Sequence, residues 1–292
     1  MSNLKEVRTR IESVRSTQQI TSAMKLVAAS KLRRAQTSIL QLRPYAEKLQ
    51  EFIQYIGTGT GQEGEMAYFE NREEENVLIV VITSNRGLCG AFNANVIKHA
   101  NKLINQKYGA LYEQGKLSLY CIGKKGAEFF TSHGYPVVEQ NTDIFDKLNF
   151  ENALPVAEGL MQDFISGKYS RIIMVYNHFK NPAVQMLVNE QYLPLSPVEA
   201  VDNGHEIDFI FEPDKASILS ELIPKNLKTQ FYKALLNSYA SEHGARMTAM
   251  HMATENATEL LKELRLKYNK VRQASITSEL LEIVGGAEAL KG

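Results

Sequence analysis

The sequence predicts an α/β fold in which a long antiparallel two-helix coiled coil, formed by the two ends of the chain, carries an inserted α/β domain. Apolar residues recur with a period of 3.5 near both ends, whereas the middle alternates short apolar runs with helical segments. We assign residues 1–57 to the N-terminal coiled-coil helix, 72–200 to the α/β domain and 207–292 to the C-terminal coiled-coil helix.

The N-terminal helix is predicted by one continuous seam. Alternate steps of three and four residues from Leu4 reach Ile56 without a change of phase, and thirteen of the sixteen positions are apolar. The positions are Leu4, Val7, Ile11, Val14, Gln18, Thr21, Lys25, Ala28, Leu32, Ala35, Ile39, Leu42, Ala46, Leu49, Ile53 and Ile56. This period is typical of a left-handed supercoil, and the helix would run roughly 80 Å at about 1.5 Å per residue.

Polar residues interrupt this seam at Gln18, Thr21 and Lys25. Polar seam residues lower the stability of a coiled coil, so we expect a purpose for them other than stability. Pro44 is expected to remove one backbone hydrogen bond and to bend the helix near its last third.

A second long helix is predicted towards the C-terminus, because no proline follows Pro224 over 68 residues. Its seam also steps by three and four residues, through Met247, Met250, Thr254, Ala257, Leu261, Leu264, Tyr268 and Val271. Each helix needs a partner seam, and antiparallel pairing of the two helices with each other is the simplest solution.

The middle of the chain predicts a mainly parallel sheet covered by helices on both faces, which is a Rossmann-like arrangement. The predicted strands are Val77–Ile82, Leu117–Ile122, Val137–Val138 and Arg171–Tyr176, with an edge hairpin at Ala183–Leu195. Helices are expected at 91–108, 125–132 and 152–165.

Charge is unevenly distributed although the net charge is zero. Residues 1–50 hold ten Lys/Arg and three Asp/Glu, whereas residues 63–75 hold six Glu and one Arg. The basic segment is either a solvated helix face or a docking surface for an acidic protein, nucleic acid or lipid.

No apolar run reaches membrane-spanning length. We interpret Cys89 and Cys121 as reduced core thiols.

Two glycine-containing segments, Thr83–Gly90 and Gly123–Gly126, follow predicted strands. Backbone N–H groups in such positions could hold a phosphate, but neither segment has the Walker A or dinucleotide-binding spacing. We interpret both as tight turns that use glycine for a positive φ.

The six histidines show no metal-ligand spacing and nothing marks a nucleophile, so we expect no catalytic, cofactor-binding or metal-binding residues.

Several motifs, in order along the chain, resemble those of the gamma subunit of F-type ATP synthases. They are MKLVAASKLRRAQ at Met24–Gln36, GLCGAFN at Gly87–Asn93, ARMTAM at Ala245–Met250, YNKVRQASIT at Tyr268–Thr277 and ITSELLEIVGGAEAL at Ile276–Leu290. The C-terminal motif is the most specific of them. The regulatory insertion of the chloroplast form, with its closely spaced cysteine pair, is absent.

The resemblance implies a non-catalytic rotor in the central stalk, which couples ion flow through a membrane c-ring to ATP synthesis or hydrolysis in a head of alpha and beta subunits. It implies contacts with the alpha and beta subunits at Met24, Arg33, Arg34, Arg246, Arg272, Gln273, Thr277 and Glu279. It implies a foot on the c-ring at Phe209, Phe211, Glu212 and Asp214.

The same resemblance implies an epsilon (or delta) subunit as a further partner, no cofactor and no nucleic-acid partner. Membrane association would come only through partner subunits, at the cytoplasmic face of a bacterial inner membrane.

Two other functions compete with a rotor. The first is a nucleotide-binding α/β enzyme with helical arms, which requires Gly87–Gly90 to hold phosphate. The second is a coiled-coil nucleic-acid-binding protein, which requires a steeply salt-dependent affinity of the basic N-terminal helix. The zero net charge and the acidic segment disfavour this second alternative.

Overall fold

The computed structural model describes residues 4–56, 67–182, 184–195, 212 and 214–289. Its helices are α1 (Leu4–Ile56), α2 (Phe92–Lys107), α3 (Gly109–Glu113), α4 (Lys124–Ser132), α5 (Phe150–Ile165) and α6 (Lys215–Ala289). Its strands are β1 (Val77–Ile82), β2 (Leu117–Ile122), β3 (Val137–Asn141), β4 (Arg171–Asn181) and β5 (Val184–Leu193). The chain divides into a smaller unit, residues 1–28 with 247–292, and a larger unit, residues 29–246.

In the larger unit, five strands form one sheet in the order β3-β2-β1-β4-β5. β1 pairs in parallel with β2 and β4, β2 pairs in parallel with β3, and β5 is antiparallel to β4 at the edge. The carboxyl ends of the four parallel strands therefore meet at one edge of the sheet. The connections from β1 to α2 and from β2 to α4 begin at this edge.

The sheet is buried on both faces because successive side chains of a strand point in opposite directions. On one face, Ile79 of β1 belongs to the same apolar cluster as Ile104 of α2. On the other face, Val80 clusters with Phe164 of α5 and Phe231 of α6. Burial of each large aliphatic side chain contributes about 1.5–3 kcal/mol, which explains why β1 is a continuous apolar run.

In the smaller unit, the first part of α1 lies antiparallel to the later part of α6. Gln18 Nε2 donates to Thr258 Oγ1 at 2.6 Å, and the hydroxyls of Thr21 and Thr254 are 2.8 Å apart. Residue numbers rise on one helix while they fall on the other, so the helices run in opposite directions.

The predicted seams form the inner faces of both long helices. Every seam position whose side chain is described is buried or half-buried, from Leu4 to Ile53 on α1 and from Met247 to Val271 on α6. The predicted period therefore identified the packed face of each helix.

Most predicted elements are confirmed, and β1 and β2 have the predicted bounds. β4 continues to Asn181 rather than ending at Tyr176, because antiparallel pairing with β5 prolongs it. α6 begins at Lys215 and includes Pro224 near its start. Ile223 and Leu227, before and after this proline, are buried in the core, and their packing favours the helix there.

In the part of the chain described, no helix combines the length and apolar character needed to cross a bilayer.

Candidate functional site

The connection from β1 to α2 is a tight turn closed by its own hydrogen bonds. Leu88 and Gly90 have φ of 61° and 58°, in the left-handed region. The Ser84 backbone N–H donates to Asn93 Oδ1 at 3.0 Å, and Ser84 Oγ donates to the Arg86 carbonyl at 2.7 Å. Because Asn93 lies in the first turn of α2, the strand, turn and helix are joined at one point.

The N-terminus of α4 is bonded to the same turn. Its first three N–H groups donate to protein atoms: Lys124 to Asn85 Oδ1 at 3.1 Å, Lys125 to the Ser84 carbonyl at 3.1 Å and Gly126 to Thr83 Oγ1 at 2.9 Å. Donors at a helix N-terminus are the groups that bind phosphate. Their use here favours the interpretation of Gly123–Gly126 as a structural turn.

Arg246 of α6 lies at the centre of a buried polar cluster in the larger unit and is 8% exposed. Its Nη1 donates to Glu242 Oε1 at 2.5 Å and to His243 Nδ1 at 3.2 Å. Its Nη2 donates to the carbonyls of Arg86 and Gly87 at 3.1 and 3.2 Å. The side chain therefore ties α6 to the β1–α2 turn. Contact of Arg246 with a partner subunit stays a prediction.

Glu242 and Arg246 form an ion pair in this cluster, and the charge of Lys31 also acts on it. Burial raises the pKa of the Glu242 carboxyl, and the adjacent Arg246 opposes that rise. Burial lowers the pKa of His243 to about 3, and the charge of Arg246 lowers it further. Acceptance of the Arg246 hydrogen bond by Nδ1 requires the tautomer with its proton on Nε2, a buried atom that has no hydrogen-bond partner among the described residues. The sequence did not reveal Glu242 and His243 as parts of a site; their spacing of four and three residues from Arg246 was the available signal.

The predicted contact residues near the C-terminus lie on an uncovered stretch of α6. Arg272, Gln273, Thr277 and Glu279 are all exposed, as is every side chain described from 272 to 288. Large apolar side chains share this stretch, namely Ile276, Leu280, Leu281, Ile283 and Val284, which are between 49% and 68% exposed. Clustered exposed apolar side chains are typical of a protein-protein contact surface.

The predicted contacts on α1 differ in exposure. Arg33 and Arg34 are exposed in the larger unit, whereas Met24 is half-buried in the smaller unit. All three stay predictions as contacts with partner subunits.

The predicted foot falls only partly on described residues. Phe209 and Phe211 lie outside them, and Glu212 is exposed. Asp214 accepts hydrogen bonds from the Ser217 backbone N–H at 2.9 Å and from Ser217 Oγ at 2.8 Å. It therefore caps the first turn of α6, a role that an aspartate just before a helix commonly has and that was not predicted from the sequence.

The two thiols are buried and free. Burial raises the pKa of Cys121 to about 12, and burial also raises the pKa of Cys89. Both therefore remain protonated near neutral pH, as core thiols do.

Comparison with known proteins gives concordant matches along the whole chain. The family model described as ATP synthase matches residues 3–290. ATP synthase gamma chains of Cytophaga hutchinsonii and Christiangramia forsetii are 54% and 52% identical to this chain. The first alignment covers 99% of this chain and 99% of its relative, and the second covers 100% of both.

Solved structures of similar fold come from mitochondrial ATP synthases. A chain from the central stalk and c-ring structure of Tetrahymena thermophila is 26% identical, with a TM-score of 0.60, over 80% of this chain and 99% of that one. A chain from the Euglena gracilis structure of OSCP, F1 and c-ring is 24% identical, with a TM-score of 0.70, over 98% of this chain and 94% of that one.

Proposed function

The chain belongs to the family of ATP synthase gamma chains, and from that membership we propose that it is the rotor of the central stalk. In this role it couples ion flow through a c-ring to ATP synthesis or hydrolysis in a head of alpha and beta subunits. We place the chemistry in the head, and this chain transmits rotation without being catalytic itself.

The observation that carries this proposal is the uncovered stretch of α6 after Val271. It combines exposed apolar side chains with Arg272, Gln273, Thr277 and Glu279, the positions that the family motif assigns to contacts with the head. Exposure of large apolar side chains to water is unfavourable, so a partner that covers this helix is expected. We propose that the head provides that cover.

Rotation would act through asymmetry. One copy of this chain cannot contact three equivalent catalytic sites equally, so each orientation of the rotor favours a different conformation at each site. By linkage, nucleotide binding at the sites must in turn favour particular orientations of the rotor.

The remaining partners follow from the same proposal. We assign Glu212 and Asp214, with Phe209 and Phe211, to the contact with the c-ring, and we expect the epsilon (or delta) subunit to bind nearby. Membrane association would then be peripheral, through these partners, at the cytoplasmic face of a bacterial inner membrane.

Reconstitution tests the proposal directly. The chain is mixed with its cognate alpha and beta subunits, and the mass of the complex and its ATPase rate are measured together. We expect three alpha, three beta and one copy of this chain, with an ATPase rate above that of alpha and beta alone. Absence of a complex would overturn the rotor function and leave the coiled coil as a structural finding.

A further inference from the structure

A groove in the larger unit lies between α1, β4 and α6. The groove contains a cavity of about 180 Å³. The lining residues that matter for its charge are Arg43 and Glu47 of α1, His178 of β4 and Lys233 of α6. Three separate elements therefore contribute a group that is, or can become, positively charged.

Arg43, His178 and Lys233 face a common space. The pKa of His178 is lowered by burial and, beyond that, by the charges of Lys233 and Arg43, while Glu190 opposes them. Glu47 is the one acidic side chain among the described residues that line this cavity, and it lies 3.7 Å from Arg43 Nε. Arg43 and Glu47 are both largely exposed, so this pair is weak and leaves Arg43 able to bind another anion.

Glu190 is the other nearby acidic group, and its charge acts on His178 from outside the cavity lining. It lines an adjoining cavity of about 250 Å³. Its Oε2 accepts from the Tyr176 hydroxyl at 2.5 Å, and its Oε1 accepts from Gln230 Nε2 at 2.7 Å. Lys233 lines both cavities, is exposed, and has no ion pair with Glu190 among the described contacts.

We propose that this groove binds a small oxyanion, of the size of inorganic phosphate or sulfate, between Arg43, His178 and Lys233. The planar guanidinium of Arg43 offers paired donors to such an anion, and Lys233 offers a point charge. The cavity of about 180 Å³ has room for an anion of this size. This site is independent of the rotor function, since it uses none of the predicted partner contacts.

A bound anion would join three elements. α1, β4 and α6 each supply one of its ligands, so binding would stabilise their arrangement increasingly as the anion concentration rises. We expect an affinity on the order of millimolar, because Arg43 and Lys233 are exposed to solvent.

The test is a titration of the 292-residue chain with inorganic phosphate by isothermal titration calorimetry, at ionic strength held constant with chloride. We expect saturable binding at one site that sulfate displaces. Lys233→Gln and Arg43→Gln should each weaken binding by about tenfold, because each removes a charged ligand. Glu47→Gln should strengthen binding, because it removes the competing carboxylate, and a folding defect cannot mimic that gain.

Lys180→Gln is the matched control, since Lys180 is an exposed lysine of β4, the strand of His178, and does not line the cavity. It should leave the isotherm unchanged. Non-saturable binding, or an equal loss in Lys180→Gln and Lys233→Gln, would overturn the site and indicate general charge attraction.

Discussion

At the residue scale, Gly123, between β2 and α4, is a position where the surrounding backbone leaves no room for a side chain. Its φ is 100°, and a Cβ there would lie 2.2 Å from the Thr83 carbonyl oxygen. A Cβ on the neighbouring Gly126 would lie 2.9 Å from Thr83 Oγ1. Two parallel strands thus lead into turns that touch at backbone distance. Close packing, rather than phosphate binding, accounts for these glycines.

Gly123→Ala should lower the free energy of unfolding by about 2 kcal/mol or more, because it adds both a clash and a strained φ. Urea titration followed by far-UV circular dichroism measures this. Gly159→Ala in α5 is the control, since a Cβ there meets nothing within 4 Å. It should be neutral or stabilising by up to about 1 kcal/mol. Equal effects of the two substitutions would contradict the close approach at Thr83.

His243 makes stability depend on pH in a defined direction. Its folded-state pKa of about 3 lies below its ordinary 6.5, so the unfolded chain takes up the proton first as pH falls. Stability from this residue is complete above pH 6.5 and is lost below it. Between about pH 7 and about pH 5, the loss should be roughly 2 kcal/mol.

His243→Gln should remove this part of the pH dependence, as measured by urea titrations at both pH values. Glu242 acts in the opposite direction, because a raised pKa lets the folded chain bind its proton first. The difference between wild type and variant separates the two residues. A wild-type slope in His243→Gln would refute the assignment.

At the element scale, the two long helices combine apolar seams with a polar layer in the smaller unit. Gln18, Thr21, Thr254 and Thr258 pair with one another across the two helices. Hydrogen bonds between specific side chains are met in only one alignment of the helices, whereas apolar side chains pack acceptably in several. The polar interruption of the α1 seam is therefore best explained by the register of the pair.

Replacing Thr21 and Thr254 by Val should change the free energy of unfolding by less than about 1 kcal/mol, because both partners of one hydrogen bond are removed together. It should also loosen the register. Cysteines at Val14 and Leu261, one heptad from this pair, report the native alignment through disulfide yield. Cysteines at Val14 and Tyr268 report a slip of one heptad.

We expect the slipped disulfide to form only in the Val background. The same yield of both disulfides with Thr21 and Thr254 in place would show that the polar layer does not set the register.

At the scale of the whole molecule, residues near the C-terminus are free to bind because nothing within the chain covers them in the part described. Their substitution should therefore affect function without affecting folding. Buried Arg246 is the contrasting case, since its loss would also release Glu242 and the β1–α2 turn.

Arg272→Ala and Glu279→Ala should each lower ATPase-driven ion pumping, measured with the complete membrane-bound complex, by about fivefold or more, which corresponds to the lower range of coupling energies between sites. The urea midpoint of the chain should not change, because both side chains are exposed. Arg265→Ala, an exposed arginine in the paired part of α6, is the control. Unchanged turnover and pumping in both variants would remove these residues from the proposed contact with the head.

The sequence by itself determined the two helical seams, the buried strands and the family, because all three are written in local periodicity and contiguous motifs. Only the tertiary structure decided which distant groups meet. Arg86 and Arg246 are 160 residues apart, and their contact depends on how α6 crosses the sheet. Tertiary structure likewise brings the first N–H groups of α4 to their acceptors in Thr83–Asn85. It also brings Lys233 to the groove between α1, β4 and α6. Hydrogen bonds and charge interactions act over a few ångströms of space, and no local pattern in the chain records which residues the fold brings that close.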